Sequence, residues 1–182
     1  MKSVVLGLLA SFVASAACAQ ALSPVAPTQA LDGAVAEGCV PVVSQRLALN
    51  APSEALARAS LRTHQPNAVE RAAFSGFAEG AGFASRPSSA GASVVLADDA
   101  SSGRCRVALF GAPERDLSAS LSYLEALVRT LTRVSGGPQD GVFTGSIDGS
   151  PRLRLTIDTP PPIAGPVGGP QIILTFAREG VG

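Results

Sequence analysis

Four arginines, two cysteines and one histidine are the side chains of this sequence whose types and spacing could do chemistry. Arg104 and Arg106 stand two apart in Gly103-Arg104-Cys105-Arg106-Val107-Ala108-Leu109-Phe110, and Arg152 and Arg154 do the same in Arg152-Leu153-Arg154-Leu155-Thr156-Ile157. An extended strand sends alternate side chains to opposite faces, so each pair shares a face, opposite Val107 and Leu109 or Leu153 and Leu155. Should the two strands lie close together, four planar guanidinium forks would line one solvated sheet face, a surface suited to a carboxylate or phosphate. Outward charge on a one-sided sheet also deters edge-to-edge aggregation, so the pattern alone does not demand a ligand. Phe110 falls on the same face as the arginines.

Other reactive constellations are thin. His64 is the sole histidine, and Arg62-Thr63-His64-Gln65-Pro66 reads as an exposed polar loop. No Gly-x-Ser-x-Gly elbow stands between a strand and a helix, and Gly145-Ser146-Ile147-Asp148-Gly149 reads as a hairpin end. Lys2 is the sole lysine, so a Ser–Lys pair is out of reach beyond the leader. Asp98 and Asp99 are adjacent and suit a turn better than paired acid–base work, which needs two carboxyls held about 5 to 10 Å apart. Glu114 and Asp116 fall where negative charge complements a helix N-terminus. Gly76-x-x-x-Gly80-x-Gly82 lacks the order of a phosphate loop, and no calcium loop is present. With one histidine, and only Cys39 and Cys105 left once Cys18 is set aside with the leader, the chain cannot assemble an ordinary zinc set, and no cofactor or metal is expected. A hydrolase would have to use unobvious groups, such as Asp98 or Asp148 with a serine. The first reading is therefore non-catalytic, and a cell-envelope hydrolase with such a serine and carboxylate site is the alternative.

Met1–Ala19 carries a basic start at Lys2, an apolar stretch from Val4 to Val13 and Ala17-Cys18-Ala19 as a small-x-small cleavage site. It reads as a secretory signal, too short in its apolar part to span a membrane. Acylation at Cys18 is the alternative; Ser15, three residues before it, departs from the aliphatic residue a lipoprotein signal carries there. The chain is thus expected in the periplasm or secreted, with Gln20 at its start and residues 20–27 as a disordered lead-in to one domain over 28–182. Fourteen basic and fourteen acidic residues leave no global field to draw nucleic acid. Cys39 and Cys105 then remain as a pair in an oxidising compartment, where two cysteines most often bond.

The elements that must position these groups follow from periodicity. Leu31, Val35, Cys39 and Val42 recur at helical spacing after Thr28 as an N-cap, with a kink or a break expected near Pro41. A second helix is read over Pro52–Leu61 and a short one over Asn67–Phe77; the Ser/Pro-rich stretch to Ser89 reads as flexible. Ser93–Ala97 and the Arg104 strand form a hairpin across Asp98–Gly103. Leu117, Leu121, Leu124, Val128 and Leu131 mark a long helix over Pro113–Ser135, stopped by Gly136-Gly137-Pro138. Val142–Ile147, Arg152–Asp158 and Ile172–Phe176 are strands, with an Asp148-Gly149 turn and a proline-rich loop over Thr159–Pro170. The expected fold is α+β: an antiparallel sheet of about five strands, helices on one face, order α-α-(α)-β-β-α-β-β-β, and one disulfide. Over Leu31–Val134 this layout is similar to small uncharacterised envelope proteins of Gram-negative bacteria, a resemblance that implies no activity. The functional expectation is a binding or accessory module for a small anion or an envelope protein, without a transmembrane segment after cleavage. An inhibitor or structural partner of another envelope protein fits the composition as well.

Overall fold

The computed structural model of the chain describes residues 24–45, 48–49, 58–99, 101–137, 141–146, 152–160 and 168–179. The leader, most of the Pro52–Leu61 helix, the Asp148-Gly149 turn and most of the Thr159–Pro170 loop lie outside these residues.

The first helical rod has three parts: α1 (Pro27–Gly33), a π-helical turn (Ala34–Cys39) and α2 (Val40–Gln45). Pro27 opens it, where a missing N–H costs nothing. Ala26 holds the N-cap position expected for Thr28, whose Oγ1 instead meets Ser120 Oγ at 3.2 Å. Rather than a kink at Pro41, the ladder widens one turn earlier, with the Val40 N–H reaching back to the Val35 carbonyl. Pro41 has no N–H to give, so the hydrogen-bond ladder changes register next to the point where proline would break it.

The strands are β1 (Arg62–Thr63), β2 (Gly82–Pro87), β3 (Ser93–Asp99), β4 (Arg104–Phe110), β5 (Thr132–Gly137), β6 (Val142–Ser146), β7 (Leu153–Asp158) and β8 (Pro170–Arg178). They form one sheet in the order β1-β2-β3-β4-β8-β7-β6-β5, antiparallel at every described pairing. Two further helices are α3 (Ala68–Ala73) and α4 (Glu114–Thr130).

The α+β class, the antiparallel sheet and the Cys39–Cys105 bond are as expected; the strand count and element order are not. Eight strands replace about five. β1 and β2 come from the stretch read as polar and flexible, because β2 is carried by its ladder to β3 and not by apolar alternation of its own. β5 comes from the end of the expected long helix. That helix stops at Thr130, and Leu131 is already extended (φ −67°, ψ 130°) while its side chain stays buried. Helices also lie on both faces rather than one: α3 covers the side opposite α1 and α4.

On the inner face, Leu31, Val35, Cys39, Val42 and Leu124 pack over Leu96, Cys105, Val107, Leu155, Leu174 and Phe176. Gly38 permits the close approach of helix and sheet, since a Cβ there would stand 2.7 Å from Leu96 Cδ1. The disulfide sits in this layer, with a Cα–Cα distance of 5.6 Å and both residues fully buried. Arg178 reaches from β8 to the Val43 and Ser44 carbonyls at 2.9 and 2.8 Å, which satisfies the end of α2. Gln171 clasps Ala112 through both backbone groups and fixes the turn into α4. On the outer face a smaller cluster of Phe74, Val95, Ala97, Ala108 and Phe110 lies beneath α3.

Candidate functional site

The strand register puts all the outward-facing arginines on the outer face but gives them different work. Arg104 and Arg154 both stand opposite Ala177, one from each side, so two strand spacings, about 10 Å, separate them. Arg104 is turned back into the protein: its Nη2 donates to the Gly76 carbonyl at 2.7 Å and to Asp99 Oδ2 at 3.2 Å. Arg106 donates to Thr175 Oγ1 at 3.0 Å and to the Ala73 and Ser75 carbonyls at 3.1 and 3.3 Å. Burial, then the neighbouring Arg104, push the Arg106 guanidinium below its ordinary value, while Asp158 acts in the other direction. Both guanidiniums lie against the Phe77 ring, at 5.0 Å for Arg104 and 4.8 Å for Arg106. Arg152 pairs with Glu179 at 2.7 Å and reaches Ser135 Oγ at 3.1 Å. Arg154 is exposed and has no hydrogen bond or ion pair among the described residues.

Arg104 and Arg106 thus hold the turn after α3 in place, and that turn forms one wall of a cleft of about 780 Å³. Its lining runs from Thr63 to Pro66 and from Phe74 to Phe83, with Arg71 at one side. Phe74 stands edge-on to Phe77 and Phe83, with ring centroids 6.1 and 5.4 Å apart, an arrangement that aromatic quadrupoles favour. Across from them the loop before α3 is fixed by a capping box. Asn67 accepts from the Glu70 N–H at 2.9 Å, and Glu70 Oε2 accepts from the Asn67 N–H at 2.8 Å.

His64 does not sit in an exposed loop: its side chain is 26% exposed and its Nε2 meets the same Glu70 Oε2 at 3.0 Å. Its Nδ1 is buried without a partner among the described residues. The sequence hides this pair, because His64 and Glu70 lie on either side of Pro66. The Asn67-x-x-Glu70 spacing of a capping box was the available signal.

Asp98 and Asp99 separate to opposite faces at the end of β3. Asp98, 4% exposed, lies on the inner face beside Cys105, its cross-strand partner, and accepts from the Leu49 N–H. Burial raises its carboxyl to about 6, against the Leu49 hydrogen bond and with some help from the Asp99 charge. Burial works to raise Asp99 as well, yet hydrogen bonds from Ser101, Ser102, Arg104 and Ala78 hold it well below the usual carboxylate range. The sheet therefore stands between Asp98 and the cleft; Asp148 lies outside the described residues. Glu114 and Asp116 occupy the first turn of α4, as helix polarity favours.

Among the described residues no three histidines, cysteines or carboxylates are placed to hold a metal ion, and no helix is long and apolar enough to cross a membrane. No family model, curated protein or solved structure matches this chain.

Proposed function

We propose that this chain is a non-catalytic binding module of the bacterial envelope, exported by its leader, which takes a small ligand in the cleft between residues 63–66 and 74–83. The observation that carries this reading is the wall built on Phe77, a ring seated against two guanidiniums and edge-on to Phe74. Such a wall is ordered before any ligand arrives, so little further entropy is lost on binding. A cleft of about 780 Å³ suits a ligand of drug-like size. Its chemistry favours a ligand with one apolar or ring-shaped face against Phe77 and Phe83, and a polar end toward Gln65 and Arg71.

The sole histidine, which lines the cleft, and the Glu70 carboxylate behind it are engaged in holding the fold. Glu70 closes a helix cap and tethers His64, and Arg71 bonds the Pro66 carbonyl. That supports binding over turnover.

Native mass spectrometry of the protein purified from envelope extracts is the test. A bound small molecule present on wild type and lost from Phe83→Ala, with the fold intact by circular dichroism, is expected. A ligand retained by Phe83→Ala and Phe77→Ala alike would remove the cleft from consideration. The export step is checked by intact mass: a chain beginning at Gln20 is expected, and an acylated Cys18 would place the protein on a membrane leaflet instead.

A further inference from the structure

We infer that the half of the outer sheet face that α3 does not cover carries a second binding site, for an oxyanion, centred on Arg154 and the hydroxyls of Thr144, Thr156 and Thr175. The inference does not rest on the cleft, which lies over the other half of the same face.

Register places these groups together. Thr144 stands directly opposite Arg154, Thr156 stands opposite Thr175, and Thr175 stands opposite Arg106. Residues directly opposite on neighbouring strands have Cβ atoms about 5 Å apart and project to one side. Between Arg104 and Arg154 lies only Ala177, whose methyl leaves a shallow floor.

Charge bookkeeping on this face singles out Arg154. Asp99 pairs with Arg104 and Glu179 with Arg152. Asp158 acts on Arg106 and lies four residues along β7 from Arg154, about 13 Å at strand rise. The positive charge of Arg154 therefore has no compensating carboxylate among the described residues. Thr175 adds a directed donor. Its oxygen already accepts from Arg106 Nε at 3.0 Å, so its own proton is left to donate outward. A bidentate guanidinium with hydroxyl donors beside it is the arrangement that carboxylates and phosphates take in preference to neutral groups.

Two sources of oxyanion fit these donors, a free phosphate and the carboxylate of a sugar acid. Titrations of the full chain, followed by amide chemical shifts, distinguish them, with sodium phosphate, D-glucuronate and neutral D-glucose as probes. Saturable shifts at Arg154, Thr156 and Thr175 with phosphate or glucuronate, and none with glucose, are expected. Stronger binding of glucuronate would assign the site to sugar acids, and stronger binding of phosphate to phosphate. Affinity should fall as sodium chloride is raised, because an exposed charge is screened within about 8–10 Å.

Arg154→Gln should weaken binding about tenfold or more, with an unchanged melting temperature, because the side chain is exposed and unbonded. Glucose binding as well as glucuronate would overturn the proposal, as would Arg154→Gln retaining wild-type affinity. So would the absence of saturation for both anions. Phe83→Ala should leave these shifts untouched. Loss of anion binding in that variant would place the anion in the cleft and refute a separate site.

Discussion

At the scale of single residues, Asp98 and Asp99 set opposite pH dependences. Asp98 has its carboxyl raised from 3.8 to about 6 in the folded protein. The folded state therefore holds a proton that the unfolded chain has released, and stability falls as pH rises through that interval. The interval corresponds to a cost on the order of 3 kcal/mol at neutral pH. Asp99, held low, contributes stability that is present above its unfolded value and lost as pH falls below about 4. Together these two groups favour a stability optimum near pH 4. Asp98→Asn keeps an oxygen for the Leu49 N–H and removes the charge. It should flatten the decline between pH 4 and 6 and raise stability at pH 7, measured by urea unfolding across pH. An unchanged profile would show that Asp98 is not the responsible group. Adjacent aspartates before Ala-Ser-Ser-Gly read as turn chemistry, and Asp99 does that work by binding Ser101 and Ser102. What sequence could not convey is that β3 continues through Asp99, which puts Asp98 among apolar neighbours. The same limit applies to the arginines. Alternation gave their common face, whereas the inward turn of Arg104 and Arg106 depends on a Phe77 loop distant in sequence.

Among the elements, the junction of α4 and β5 departs furthest from pattern reading. Leucine spacing extends the helix to Leu131, and Gly136-Gly137-Pro138 looks like its stop. Yet the Leu131 side chain can be buried by a strand as well as by a helix, and Thr132, which opens β5, is β-branched and suits a pleated edge. Gly136 has a use other than capping. With φ +100° and a Cβ position only 2.2 Å from the Val142 carbonyl oxygen, it lets β5 close on β6 where no side chain fits. Gly136→Ala should therefore displace the β5–β6 hairpin and destabilise the protein by roughly 1–3 kcal/mol. Hydrogen exchange should quicken in β5 and β6 while α4 stays protected. Wild-type protection in the hairpin would contradict this role. The helix over Asn67–Phe77 was legible, and its observed span Ala68–Ala73 is shorter because Phe74 and Phe77 fold back to cover the sheet.

On the scale of the whole molecule, the disulfide joins the first helical rod to the middle of the sheet. It links residues 66 apart in sequence, and closing such a loop restricts the unfolded chain by about 4 kcal/mol on the chain-entropy model. Cys105→Ser should lower stability by roughly 2–5 kcal/mol and remove the link between the two peptides in non-reducing mass spectrometry. A melting temperature unaffected by the substitution would mean that packing of the rod alone suffices. Two cysteines in an expected oxidising compartment made this bond readable; the position of the last described strand was not readable at all, since strand order leaves no local mark. That position has a consequence of its own. β8 lies between β4 and β7, so among the described residues β1–β4 and β5–β7 are two ribbons whose hydrogen-bonded ladders are joined through it. The full sheet thus cannot close before β8 is available. Until residues 170–178 emerge, each ribbon waits with one edge of amides and carbonyls unanswered, and any other extended strand that arrives sooner can take the vacant place.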